Sequence, residues 1–258
     1  MNYFLAILAG TVQGLTEFLP VSSTGHLIIF ENIFGISQDD FGLAFDASLH
    51  LGTLFAVILF FYKDYLTIFN FKNKLLSLLF IGTLPAVFFG IIFEQQISTT
   101  FRSTTLVAVA LIVFSVVILW AERLGEKVKK RKDITLANAL IIGIFQAIAL
   151  IPGVSRSGAT ISGGLFLGLT REESARFAFL LSGPIIAGAG TKKFLEASLN
   201  NISASDFNFF IIGIISSAVF GFLTIKYFLQ FLQKNTLIPF VIYRVGLAIL
   251  LILAIFIS

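Results

Sequence analysis

Two short stretches hold most of the groups able to do chemistry in an otherwise apolar chain. The first reads Gln13-Gly-Leu-Thr-Glu17-Phe-Leu-Pro20-Val-Ser22-Ser23-Thr24-Gly25-His26. Gln13 and Glu17 are four apart and share one helical face. Pro20 ends that helix, and Ser22, Ser23 and Thr24 are good N-cap residues for the helix that starts near Gly25. The second reads Pro152-Gly-Val-Ser155-Arg156-Ser157-Gly158-Ala-Thr160. The guanidinium of Arg156 offers a planar donor fork suited to phosphate oxygens, with hydroxyls from Ser155 and Ser157 beside it. Gly158 lets backbone approach closely at a second helix N-terminus. Free N–H groups at both helix starts form anion sites. His26 supplies a group able to gain or lose a proton near neutral pH, and a serine beside it can act as nucleophile. Blander roles are open at each position. Glu17 can pair with a basic group, Arg156 can neutralise Glu17, and His26 can be a hydrogen-bonded structural histidine. Together the residues describe a site for an anionic, phosphorylated ligand reached from lipid.

The rest of the chain has to place those stretches inside a membrane. Of 258 residues, 57% are hydrophobic and 12% charged, against about 45–50% and about 25% in soluble domains. So few charges cannot clothe a water-soluble surface. Six stretches are long enough to span, at roughly 45–62, 75–93, 104–121, 174–191, 207–229 and 238–257, since a spanning helix needs about 20 mostly apolar residues. Tyr3–Val12 and Leu136–Ile151 are shorter, and each runs into Pro, Gly and Ser before a second short apolar run. That pattern predicts two re-entrant helical hairpins, because irregular backbone at membrane depth survives only inside protein or along a wet cavity. The expected fold is an all-α polytopic membrane protein occupying residues 1–258 as one domain. The N-terminal segment lacks a basic region and cleavage site and reads as part of the folded chain, not a signal peptide.

Charge placement orients the spans. Arg123, Lys127, Lys129, Lys130, Arg131 and Lys132 crowd the loop 122–133, which therefore faces the cytoplasm. Threading six spans from it puts Lys63, Lys72, Lys74, Arg171, Arg176, Lys226 and Lys234 on the same side, and leaves Arg102, Lys192 and Lys193 outside. The net charge of +4 is thus a topology signal, and nothing in it points to nucleic acid. There is no cysteine, which excludes disulfides and thiolate metal sites. Asp46 and His50, four apart in the first span, read as a satisfied structural pair. Arg244, near the start of the last span, reads as a snorkelling interfacial residue.

A shift of 133 residues lays Gly10-Thr-Val-Gln13 on Gly143-Ile-Phe-Gln146, and Val21-Ser-Ser-Thr-Gly25 on Val154-Ser-Arg-Ser-Gly158. Each half, 1–121 and 134–258, is then one hairpin plus three spans. Three is odd, so the halves are inverted, and broken elements from both should meet near the midplane. Inverted repeats with paired hairpins are also typical of transporters and flippases, which is the main rival to an enzyme.

Both motifs, the span pattern and the basic central loop resemble the undecaprenyl-pyrophosphate phosphatase (bacitracin-resistance) family over essentially the whole chain. The resemblance implies hydrolysis of a polyprenyl pyrophosphate, undecaprenyl pyrophosphate, to the monophosphate carrier and inorganic phosphate, recycling the lipid used for cell-wall synthesis. It implies a bacterial cytoplasmic membrane location with the site open to the outer face, membrane lipids as neighbours, and a divalent metal, Mg²⁺ or Ca²⁺. By resemblance the catalytic residues are Glu17, Ser23, His26 and Arg156. Ser22, Thr24, Gly25, Ser155, Ser157 and Gly158 join Arg156 in holding phosphate. Glu17 and Gln13 hold the metal, although a neutral Gln13 stands where many members have Glu. Which of Ser23, His26 or water attacks phosphorus stays open, and so does oligomeric state, for which a homodimer is admissible.

Overall fold

The computed structural model describes residues 3–36, 43–69, 73–98, 103–125, 127–198 and 204–257. Lys72 and Arg102, two of the topology residues named above, lie outside them. Twelve α-helices follow one another among the described residues: α1 Tyr3–Phe18, α2 Ser23–Phe34, α3 Leu43–Phe60, α4 Tyr62–Leu66, α5 Leu75–Ile92, α6 Glu94–Ser98, α7 Thr104–Leu124, α8 Leu136–Ile148, α9 Arg156–Phe166, α10 Arg171–Ser198, α11 Ala204–Leu232 and α12 Ile238–Ile257. Among the described residues the only β pairing is a single bridge between Lys129 and Leu169. The chain is all-helical, and its apolar helices suit a membrane protein.

Five of the six expected spans fall on one helix each, whereas the first, 45–62, runs past the end of α3 at Phe60 into α4, bent from it by 74°. The helices are also not equally apolar. Among the described residues three helices, Leu75–Ile92, Thr104–Leu124 and Asn208–Leu232, are by themselves long and apolar enough to cross a bilayer. α10 has the length, yet it opens on Arg171, Glu172 and Glu173 and carries Lys192 near its end. Large apolar side chains such as Phe80, Phe88, Ile91, Trp120, Ile242 and Leu250 point outward, the arrangement expected where lipid replaces water as solvent.

Helices meet closely where glycine removes a side chain. α1 lies on α11 through Gly10 and Gly14, and a Cβ at Gly10 would come 2.5 Å from the carbonyl oxygen of Gly213. α8 lies on α5 in the same way, and a Cβ at Gly143 would overlap the carbonyl oxygen of Gly82. Each half thus lends its first helix to a long helix of the other. In α10, Pro184 has no N–H for the carbonyl of Leu180. Tyr65 donates its hydroxyl to that carbonyl at 2.9 Å, so the helix runs on without an unsatisfied buried acceptor.

The basic loop folds against the helix ends and caps them. Lys127 donates to the carbonyls of Glu122 and Gly125 at the end of α7, and Lys129 to Leu167 at the end of α9, 2.8 Å away. Cations belong at such ends, where the helix dipole is negative. Glu122, buried beneath them, pairs with Arg171 and accepts from the backbone N–H of Leu237 at 3.3 Å. Lys74, Lys130, Arg131 and Lys132 line one cleft at this end of the molecule. Lys192 pairs with Glu94 at the other end of α10.

Candidate active site

α1 runs to Phe18, two residues before Pro20 and beyond the apolar stretch to Val12 that the sequence suggested, so Gln13 and Glu17 sit on its last turns. The chain then turns over Leu19–Ser22 and enters α2. At the turn Ser22 adopts φ 74°, a left-handed conformation that is uncommon for a residue with a Cβ. Its Oγ accepts from the N–H of Gly25 at 3.4 Å. Ser155 repeats this before α9, with φ 75° and its Oγ accepting from Gly158 at 3.2 Å. Two serines held in the same strained state, 133 positions apart, are strain of the kind that clusters at functional sites.

The turns are fastened to each other. Ser157 donates its hydroxyl to the carbonyl of Leu19 at 2.8 Å. Arg156 forms an ion pair with Glu17. The other carboxylate oxygen of Glu17 accepts from the Ser23 hydroxyl at 2.6 Å and from Gln13 Nε2 at 2.9 Å, and His50 Nε2 lies 3.8 Å from it. A buried carboxylate needs such company, because an isolated charge at this depth is costly.

A pocket of about 210 Å³ opens beside this cluster. Glu17, Ser22, Ser23, Thr24, Ser155 and Arg156 line its polar end; Ala86, Leu150, Ile185 and Ala189 are among its apolar walls. Those six of the expected residues therefore share one cavity. The rest do not line it. Gly25 and Gly158 spend their N–H groups on the serine caps, and Ser157 spends its hydroxyl on Leu19.

His26 departs furthest from expectation. Its ring faces away from Ser23, with Nδ1 2.7 Å from the carbonyl of Ser22 and Nε2 2.6 Å from the hydroxyl of Tyr243, whose ring stacks parallel to it. The group that takes the hydrogen bond from Ser23 is Glu17. Four residues after Ser22, His26 falls back over the turn it follows and ties that turn to α12.

Arg244 also corrects its sequence reading. It is fully buried and does not snorkel, because α12 packs on α7 and turns it inward. His50 belongs to the pocket, and its link to Asp46 is a ring-to-backbone contact of 2.9 Å. Gln146 lines the pocket too, its side-chain oxygen buried without a partner among the described residues, and Gln13 has an identical orphaned oxygen. An ionisable residue inside an apolar span is a functional signal in its own right, and it could have singled out His50.

For a divalent cation the protein offers little by itself. Among the described residues no three His, Asp or Glu side chains cluster. Glu17 is, among the described residues, the single carboxylate in the pocket lining. Mg²⁺ commonly binds through one or two carboxylates plus substrate phosphates, so Glu17 with a phosphorylated ligand is a donor set that fits. Gln13 now presents its nitrogen to Glu17, and would serve as a ligand only with its amide turned over.

Residues 6–250 match the family model described as bacitracin resistance protein BacA. A protein from Thermodesulfovibrio yellowstonii named undecaprenyl-diphosphatase is 46% identical over 253 residues, 98% of this chain and 97% of its own. Proteins of the same name from Moorella thermoacetica and Rubrobacter xylanophilus are 42% and 44% identical, over 98% and 95% of this chain and 97% and 95% of their own lengths.

Proposed function

The chain belongs to the bacitracin resistance protein BacA family, and from that membership we infer that it is an undecaprenyl-diphosphatase. It hydrolyses undecaprenyl diphosphate to undecaprenyl phosphate and inorganic phosphate, which recycles the lipid carrier of cell-wall synthesis and gives resistance to bacitracin. The observation that carries this reading in the molecule is Glu17 bridging Ser23 and Arg156 in the lining of one small pocket.

In the proposed reaction the terminal phosphate enters between Ser23 and Arg156 and draws the guanidinium away from Glu17. The freed carboxylate accepts the Ser23 proton as Oγ attacks the terminal phosphorus. The bond from that phosphorus to the bridging oxygen breaks, and the undecaprenyl phosphate leaves with the proton from Glu17. Water then attacks the phosphoserine, giving one proton through Glu17 back to Ser23 and releasing phosphate. Arg156, the hydroxyls of Ser22, Thr24 and Ser155, and the starts of α2 and α9 stabilise charge on the transferring group. Glu17, while ionised, is the side chain that would hold a Mg²⁺ or Ca²⁺ ion, which would neutralise further charge on the phosphates. His26 holds the first turn and does not act as base.

The six-span arrangement with two re-entrant hairpins in an inverted repeat is part of the same proposal. It is supported by the matching turns and by the exchange of α1 and α8 between halves. With the basic loop in the cytoplasm, Ala47, Ala86 and Ala189 fall in the outer halves of α3, α5 and α10. That supports a pocket reached from the outer face of the bacterial cytoplasmic membrane.

The test is phosphate release from purified protein and undecaprenyl diphosphate in detergent, where no gradient exists. Release that disappears in Glu17→Gln and Ser23→Ala is expected. A wild-type protein that binds the lipid without releasing phosphate would instead favour the transporter that exchanged halves also suit.

A further inference from the structure

Arg244 is a complete cation in the core with no described carboxylate within ion-pair distance. Its partners are four oxygens. Nε donates to Ser115 Oγ at 3.1 Å, one terminal nitrogen to the carbonyl of Pro20 at 3.2 Å, and the other to the carbonyls of Leu111 at 3.2 Å and Gly153 at 3.0 Å. A guanidinium buried at this cost is spent on backbone, and the choice of backbone is informative. Pro20 and Gly153 are equivalent positions of the two turns, 133 residues apart, and Leu111 is the position equivalent to Arg244 itself.

One planar fork therefore grips both turns at the same point, from the place where the two halves meet. Pro20 is two residues before the Ser22 cap and three before Ser23. Gly153 is two before the Ser155 cap and three before Arg156. With those carbonyls drawn to Arg244, the serines that follow face the pocket. We propose that Arg244 is a positioning residue that sets the distance between the Ser23 hydroxyl and the Arg156 guanidinium, and so fixes nucleophile against phosphate clamp. It touches no substrate. Lysine cannot replace it, since one ammonium cannot hold carbonyls on two separate turns in a plane.

The inference rests on the phosphatase reading for its kinetic consequence only, so the experiment has two arms. The first measures phosphate release by Arg244→Lys and Ser115→Ala against wild type. A displacement of nucleophile from clamp should lower kcat about 100-fold in Arg244→Lys, with KM nearly unchanged because the prenyl tail binds elsewhere. Ser115→Ala, which leaves three of the four bonds, should show a smaller loss in the same direction. The second arm, independent of activity, follows amide hydrogen exchange in detergent. Residues 19–25 and 152–158 should both exchange faster in Arg244→Lys, while α5 and α11 keep wild-type protection. Loosening of one turn alone, or an Arg244→Lys protein with wild-type kcat, overturns the proposal. If Arg244→Lys does not fold, Ser115→Ala decides: unchanged kcat and unchanged exchange in both turns overturn it. Silence of the wild-type enzyme in the first arm would remove the phosphatase reading and leave the exchange result to judge the pin.

Discussion

The turn before α2 and the turn before α9 hold Ser22 and Ser155 at φ values of 74° and 75°, cap the following helix through the glycine three residues on, and present a carbonyl to Arg244. Around that shared frame the side chains diverge. The positions equivalent to Glu17, Ser23 and His26 are Leu150, Arg156 and Ala159. One turn carries a carboxylate, a serine hydroxyl bonded to it and an imidazole, and the other carries a single cation. The difference teaches that backbone geometry and chemistry are separable here. Both turns use the same strained serine to start a helix; under the proposed reaction a carboxylate on each would repel a dianion, and a cation on each would leave no base.

That contrast is open to direct attack. The largest effect is expected at Glu17→Gln, which keeps shape and removes the proton acceptor. Its kcat should fall about 10³–10⁴-fold, and near wild-type turnover would remove Glu17 from the chemistry. Next comes Arg156→Lys, which keeps the charge and loses the fork. About 10²–10³-fold in kcat/KM is expected, by analogy with loss of one preorganised donor; an unaffected enzyme would mean the second turn holds no phosphate. Ser23→Ala against Ser157→Ala compares hydroxyls on the two turns. The first should cost about as much as Glu17→Gln, while the second, whose hydroxyl serves Leu19, should stay within about tenfold of wild type. His26→Gln belongs with the smaller effects, and a 10³-fold loss there would return the imidazole to the role of base. Smallest are the caps. Ser22→Ala and Ser155→Ala should each lower unfolding free energy by about 0.5–2 kcal/mol, and by similar amounts. A marked inequality, read from thermal melts in detergent, would show that the matching φ angles hide different loads.

Much of this arrangement was legible in the sequence because it is local. A proline, a serine cap and a glycine three residues later specify a turn and a helix start whatever surrounds them, and both turns stood out against apolar runs. Gln13 and Glu17 sharing a face followed from helix periodicity alone. What stayed hidden depended on contacts between distant residues. Arg244 meets Pro20 across 224 residues, and a cation near a helix start looks interfacial until packing turns it inward. His26 sits three residues from Ser23, yet its ring is claimed by Tyr243 on the last helix. His50 was set aside because its helical neighbour Asp46 offered a sufficient explanation, while its approach to Glu17 required α1 and α3 to be seen together. Apolar helices fall where the apolar runs lie, but the unequal polarity of α10, with Arg171, Glu172 and Glu173 in its first turn and Lys192 near its end, was not weighed.

The pocket's size has a last consequence. At about 210 Å³ it lies below the roughly 300–1,000 Å³ that encloses a drug-sized ligand, so it can take a diphosphate head and almost none of a fifty-five-carbon tail. Chain length should then be sensed by partition more than by fit. A prenyl diphosphate is seen according to its surface concentration in the leaflet, and shorter lipids should be poorer substrates only insofar as they dwell there less.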